Sequence, residues 1–168
     1  MESVHAKNSV LEPLAIKHKI KRMALEIAEQ NAEETELVIA AINGNGEVVA
    51  AKLKEQLQAI VPFQLQSLKI NINKRDPINV SIEPEVNCDN KVILIVDDVA
   101  NSGKTIMYAL KSFLSQRPKK IQTVVLVERS HKLFPIQTDY SGLSIATTLQ
   151  EHIAVETRDG EIEGAWLY

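Results

Sequence analysis

Val92-Ile-Leu-Ile-Val-Asp-Asp-Val-Ala-Asn-Ser-Gly-Lys-Thr105 decides how the rest of the chain is read. Val92 to Val96 are apolar and mostly β-branched, the pattern of a strand buried on both faces in a parallel sheet. Asp97 and Asp98 follow at its carboxyl end. A short loop from Ala100 to Thr105, rich in small and hydroxyl residues, leads into a helical pattern over Ile106 to Leu114. Ligands of open α/β sheets bind outside the carboxyl ends of the strands, where this loop falls.

The residue types suit a phosphorylated sugar. Gly103 lets the backbone approach an anion closely. The first N–H groups of the next helix have no intrahelical acceptor and point their positive end at the loop. Ser102 and Thr105 add hydroxyl donors. The two aspartates would repel a bare phosphate, but they accept hydrogen bonds from vicinal hydroxyls and hold water on Mg²⁺. Ser102-Gly103-Lys104-Thr105 also ends like a P-loop. That motif requires glycine five positions before Gly103, where Asp98 stands, so an NTPase is excluded.

Outward from this stretch, strands and helices alternate, which predicts an α/β fold with a central parallel sheet flanked by helices. Ile16, Ile20, Met23, Ala24, Ile27 and Ala28 recur at helical spacing, predicting an amphipathic helix over 12–30. Glu36 to Ile42 reads as a buried strand, Asn43-Gly44-Asn45-Gly46 as a tight loop, Glu47 to Ile60 as a helix, and Phe63 to Ile72 as a strand. Asn73 to Asn90 is polar and interrupted by prolines; it reads as a flexible loop with a short strand at Asn79 to Ile82. Ile121 to Val127 is another buried strand. Ile153 to Thr157 and Ile162 to Leu167 flank Arg158-Asp159-Gly160-Glu161, a hairpin signal.

The 168 residues suffice for one domain with a real core, taken as 1–168. The net charge of −3 argues against an indiscriminate nucleic-acid binder but leaves room for a local basic patch. A single cysteine, Cys88, excludes an internal disulfide and fits a reducing, cytoplasmic compartment. Met1 to Val10 lacks the apolar core of a signal peptide, and no run reaches transmembrane length, so no membrane partner is expected.

Residues Ile95 to Thr105 resemble the phosphoribosyl-diphosphate (PRPP) motif of type I phosphoribosyltransferases. Ile20 to Asn31 and Val125 to Ile145 resemble one branch, the bifunctional pyrimidine-operon attenuator and uracil phosphoribosyltransferase, or PyrR, family. The resemblance covers roughly residues 12–157 and is weak between 43 and 90. It implies the type I phosphoribosyltransferase fold with a small hood and the C-terminal hairpin. It also implies an Mg²⁺-dependent transfer of 5-phosphoribosyl from PRPP to a nucleobase, uracil first, and a homodimer or larger assembly. Asp97 and Asp98 would take the ribose hydroxyls and, through these or water, the metal. Ala100, Asn101, Ser102, Gly103, Lys104 and Thr105 would cradle the 5′-phosphate. Arg129, Ser130 and His131 would frame the base.

The resemblance fails at one functional loop. Asn43 to Gly46 corresponds to the family's pyrophosphate loop, which usually carries Lys-Thr-Arg before its last glycine; here those positions are Asn43, Gly44 and Asn45. Losing a well-placed donor to a charged leaving group typically costs ~10²–10³ in rate. Lys74 or Arg75 would compensate by closing over the site, although Asn73 and Lys74 replace the Tyr-Arg of the family's Tyr-Arg-Asp-Asp segment. Lys21 and Arg22 match the family's RNA-contacting helix, whereas Leu25 and Gln30 replace a histidine and an arginine there. Lys17, Lys19 and the cluster Arg117, Lys119 and Lys120 add positive charge. Two alternatives therefore stay open: a nucleotide-sensing, RNA-binding regulator with little catalysis, and a transferase for a purine base.

Overall fold

A computed structural model describes residues 7–168. In chain order the elements are β1 (Asn8–Leu11), α1 (Pro13–Gln30), β2 (Glu36–Ile42), α2 (Asn45–Gln58), β3 (Gln64–Ile72) and β4 (Val80–Glu83). There follow β5 (Val92–Ala100), α3 (Lys104–Lys111), β6 (Lys120–Arg129), β7 (Tyr140–Ile145), β8 (Ile153–Arg158) and β9 (Glu161–Leu167).

Six strands form one sheet in the order β4-β3-β2-β5-β6-β7. All its pairings are parallel except β3 with β4. The expected parallel sheet thus carries one antiparallel edge strand, and the flexible loop expected over 73–90 holds that strand at Val80–Glu83, one residue later than Asn79 to Ile82. The central strands alternate cleanly. Leu37, Ile39 and Ala41 of β2, with Leu94 and Val96 of β5, pack against α1 and α2. Val38, Ala40 and Ile42, with Ile93 and Ile95, pack with α3 residues Ile106 and Ala109 and with Phe113. Continuous apolar runs are required because both faces are covered.

Several boundaries differ from those expected, among them α3, which spans Lys104–Lys111 rather than Ile106 to Leu114, and two of them shape the loops at the strand ends. The central strand does not stop before the aspartates: β5 runs on to Ala100, because Val99 and Ala100 continue to pair with Val127 and Glu128 of β6. Helix α2 begins at Asn45 rather than Glu47, since the Glu47 carboxylate folds back to accept the Gly44 N–H at 3.0 Å and closes the first turn.

A second, three-stranded antiparallel sheet, β1-β9-β8, forms the hood. Asp159 and Gly160 both have positive φ (50° and 78°), as a tight hairpin turn demands. The hairpin packs on its own chain: Ile153, Val155, Ile162 and Ala165 join the cluster beneath α1 and α2. Strand β1 completes it and was not expected from Asn8-Ser9-Val10-Leu11.

Strand β7 was also not expected, and a steric constraint holds it. A Cβ on Gly142 would lie 2.4 Å from the Leu126 carbonyl oxygen. Arg22 of α1 donates to the Ser141 and Gly142 carbonyls at 2.9 and 3.0 Å, tying the helix to this edge. Gly142→Ala is expected to cost about 3 kcal/mol through forced backbone movement, lowering the melting temperature by roughly 6–12 °C; a calorimetric scan checks it.

Candidate active site

The order β3-β2-β5-β6-β7 reverses direction between β2 and β5, making their carboxyl ends a topological switch point. Both glycine-containing loops of the sequence leave the sheet there. Between them and the hood lies a cavity of about 230 Å³, lined by residues 98–106, Asn45, Lys74 and Ile153–Val155.

The phosphate-sized loop is shorter than Ala100 to Thr105. Ala100 belongs to β5 and is buried, and α3 starts at Lys104, leaving Asn101–Gly103 as the turn. Gly103 has φ +79°, and a Cβ there would meet Ile136 Cβ at 3.3 Å. Among the described residues the N–H groups of Ser102, Gly103 and Thr105 donate to no protein acceptor. These free donors at the start of α3 suit a dianionic phosphate. On its other side the turn is tied down, since Ser102 O accepts the Leu133 and Phe134 N–H groups at 3.0 Å each.

Asp97 and Asp98 are both buried. The Asp98 N–H donates to Asp97 Oδ1 at 2.9 Å. Burial, followed by the neighbouring Asp98 charge, pushes the Asp97 carboxyl well above its ordinary value. Lys74, from the segment after β3, places Nζ 3.4 Å from Asp97 Oδ1 and 3.6 Å from Asp98 Oδ1. Burial works to lower the Lys74 ammonium, and the two carboxylates more than offset it, leaving it above its ordinary value. Arg75 stays apart: it is exposed, and its backbone N–H donates to Asn73 Oδ1.

Asn43, Gly44 and Asn45 also reach the switch point, and several of their polar groups are engaged. Asn43 Oδ1 accepts the Ile72 N–H at 3.0 Å. Asn45 Nδ2 donates to Val155 O at 2.7 Å and reaches Asp98 Oδ2 at 3.3 Å, while its Oδ1 accepts the Thr157 hydroxyl at 2.8 Å. The part played by Thr157 was not foreseen, because a threonine in an exposed hairpin carries no sequence signal of its own.

The segment expected to frame a base leaves the sheet after β6. Arg129 Nη2 donates to Thr148 O at 2.9 Å, and its Nε is buried without a partner. The Ser130 N–H donates to Ile145 O at 3.0 Å; Ser130 and His131 are exposed. Glu128 accepts from Lys132 at 2.7 Å and from Thr138 at 2.6 Å. Burial alone would raise the Glu128 carboxyl, but these donors outweigh it and hold it below its ordinary value.

Of the basic residues expected on a nucleic-acid face, two are committed to carboxylates: Arg22 pairs with Glu26 at 2.8 Å and Lys119 with Glu34 at 2.9 Å. Lys17 and Lys21 lie exposed on α1. No helix among the described residues is long and apolar enough to cross a membrane.

A mostly parallel sheet with an acidic doublet below an open donor turn at its switch point defines an α/β protein whose ligand cleft lies at the carboxyl ends of its strands. The phosphoribosyl transferase domain family matches residues 7–159, and the chain belongs to that family. Its relatives include proteins named bifunctional protein PyrR. That of Clostridium perfringens is 34% identical over 171 residues, covering 96% of this chain and 95% of the relative. The Haemophilus ducreyi protein is 28% identical over 158 residues, covering 88% of each. Among solved structures, a hypoxanthine phosphoribosyltransferase of Trypanosoma cruzi complexed with IMP superposes with a TM-score of 0.78 at 18% identity, covering 98% of this chain and 86% of the other. A hypoxanthine-guanine phosphoribosyltransferase of Bacillus anthracis gives 0.71 at 21% identity, covering 84% of each. These structural likenesses bear on the fold.

Proposed function

We propose that the protein transfers the 5-phosphoribosyl group of PRPP to a nucleobase, with uracil as the first base to test. The observation that carries this reading is the open donor turn Ser102–Thr105 directly after the buried Asp97–Asp98 pair. The turn suits the 5′-phosphate and the carboxylates suit the ribose hydroxyls. In the reaction the C1′–oxygen bond to pyrophosphate breaks and its electron pair leaves with pyrophosphate. The lone pair of a base nitrogen forms the new C1′–N bond, and the proton of that nitrogen passes to water. No side chain is placed as a general base. The rate derives from orientation and from charge opposite the leaving group.

A divalent ion fits the residues present. Among the described residues no group of three or more His, Cys, Asp or Glu could enclose a metal. A hard cation that keeps its waters and binds through one or two carboxylates plus substrate oxygens needs no such enclosure. Asp97 and Asp98 would hold Mg²⁺ through water or ribose hydroxyls, and the ion when bound adds positive charge to the leaving oxygens.

A second reading, a nucleotide-sensing RNA-binding regulator with little catalysis, is favoured by the absence of Lys and Arg from Asn43–Gly46. The pairing of Arg22 and Lys119 with carboxylates weighs against its RNA-binding part. Purified protein assayed with PRPP, Mg²⁺ and each common base separates the two. Pyrophosphate release with uracil is expected. Release with hypoxanthine or guanine instead would reassign the base, and tight nucleotide binding without release from any base would favour the regulator. A homodimer remains the expected assembly, and sedimentation of the purified chain measures it.

A further inference from the structure

The Asn43–Gly46 loop holds the place of a pyrophosphate cradle, yet side-chain groups of both its asparagines are bonded inside the protein. Asn43 Oδ1 is taken by the Ile72 N–H. The Gly44 N–H is taken by the Glu47 carboxylate, which also sets a negative charge against the turn where an anion would approach. Asn45 is used at both ends of its amide, by Val155 and Thr157 of β8, with Asp98 at the margin of hydrogen-bond distance.

The opposite loop treats the same strand in the same way. Asn101 Nδ2 donates to Ile153 O at 3.2 Å, and its Oδ1 accepts the Ile153 N–H at 3.3 Å. Strand β8 is therefore held at Ile153, Val155 and Thr157 by asparagines rising from the two loops of the large sheet. Ile153, Ala154 and Val155 of that strand form the cavity wall facing the phosphate turn. A group extending across the cavity from a phosphate in the turn would meet β8.

We propose that Asn45 in this chain is a clip for the hood, with Asn45 and Thr157 as positioning residues that set β8 against the base of a bound nucleoside 5′-monophosphate. The replacement of cations in this loop is then a change of role: an asparagine amide offers both a donor and an acceptor in one plane and can bridge a strand edge, which a lysine or arginine cannot. The inference rests on reading the cavity as a sugar-phosphate site.

Calorimetric titration of the full chain with the common nucleoside 5′-monophosphates, ribose 5-phosphate and inorganic pyrophosphate tests it. Thr157→Val keeps the side-chain shape and removes only the hydroxyl that grips Asn45. It is expected to weaken the best-bound nucleotide about 3- to 10-fold while leaving ribose 5-phosphate and pyrophosphate within about 2-fold, since neither has a base to reach β8. Asn45→Arg restores a cation at the family's position but breaks the clip, so it is expected to weaken the nucleotide at least as much. Nucleotide affinity unchanged in Thr157→Val, or all three ligands weakened equally, would overturn the positioning role. Nucleotide binding left intact by Asn45→Arg would overturn the clip. Failure of the unaltered chain to bind ribose 5-phosphate or any nucleotide would instead bring down the sugar-phosphate reading itself, and the clip with it.

Discussion

Lys74→Ala is expected to lower kcat/KM for PRPP by ~10²–10³, the usual loss when a donor facing a charged leaving group is removed. Lys74 is the lysine that reaches the acidic pair, with Nζ within 3.6 Å of both carboxylates. The glycine loop beside it carries no cation. Its side chain remains 46% exposed, so it is free to turn from the aspartates toward an arriving pyrophosphate. Steady-state kinetics with PRPP, alongside equilibrium binding of the nucleotide product, separates this from general damage. Transfer should collapse while product affinity, which involves no pyrophosphate, changes only a few-fold. Equal loss in both would assign Lys74 to holding the aspartates rather than to the departing group.

Asp97→Asn is expected to act in opposite directions on function and stability. A carboxylate gripping a hydroxyl contributes about 1.5–3 kcal/mol, so PRPP affinity should fall roughly 10- to 150-fold. The folded protein should nevertheless become more stable at neutral pH. Asp97 is 1% exposed, shares its surroundings with Asp98, and is compensated by a single ammonium. Asparagine can still accept the Asp98 N–H without burying a charge, a change worth about 1 kcal/mol or more, or roughly 2–4 °C in melting temperature. The sign with pH follows from burial. The folded chain holds the Asp97 proton more tightly than the unfolded chain does, so its stability is greatest where this carboxyl is protonated. That contribution is lost as pH rises through the elevated folded value. The advantage of the D97N protein in thermal scans should therefore be largest near neutrality and shrink as the pH drops toward the ordinary carboxylate range. A gap independent of pH would contradict the assignment of a strained buried charge.

How much of this was legible beforehand depended on which force specifies each element. Strands β2, β5 and β6 are buried on both faces and announce themselves as apolar runs, so the sheet could be anticipated. The position of the turn after β5 was legible too, since few sequences place two aspartates and a glycine turn after such a strand, although its length was not. Strands β1 and β7 are half polar and owe their existence to partners elsewhere, β9 and β6, which local patterning cannot register. The extent of β5 was misjudged because aspartates read as the end of a strand, whereas ladder pairing with β6 carries it four residues further, from Val96 to Ala100, before the chain turns. Least legible was the fate of Asn45. A loop of asparagine and glycine reads as a turn or an anion nest from sequence, and only the approach of Val155 and Thr157, more than a hundred residues away, shows where its amide is spent.

The tethering of the phosphate turn has a thermodynamic corollary. Ser102 offers its carbonyl to Leu133 and Phe134, and Asn101 grips Ile153, so one three-residue bend is bonded to both segments flanking the space for a base. A ligand that stills this bend prepays part of the ordering needed by whatever binds next, and linkage makes the favour mutual. Sugar phosphate and free base should accordingly be cooperative guests, each recruiting the other, and affinities measured for the two fragments in isolation should sum to less than the affinity of the joined molecule.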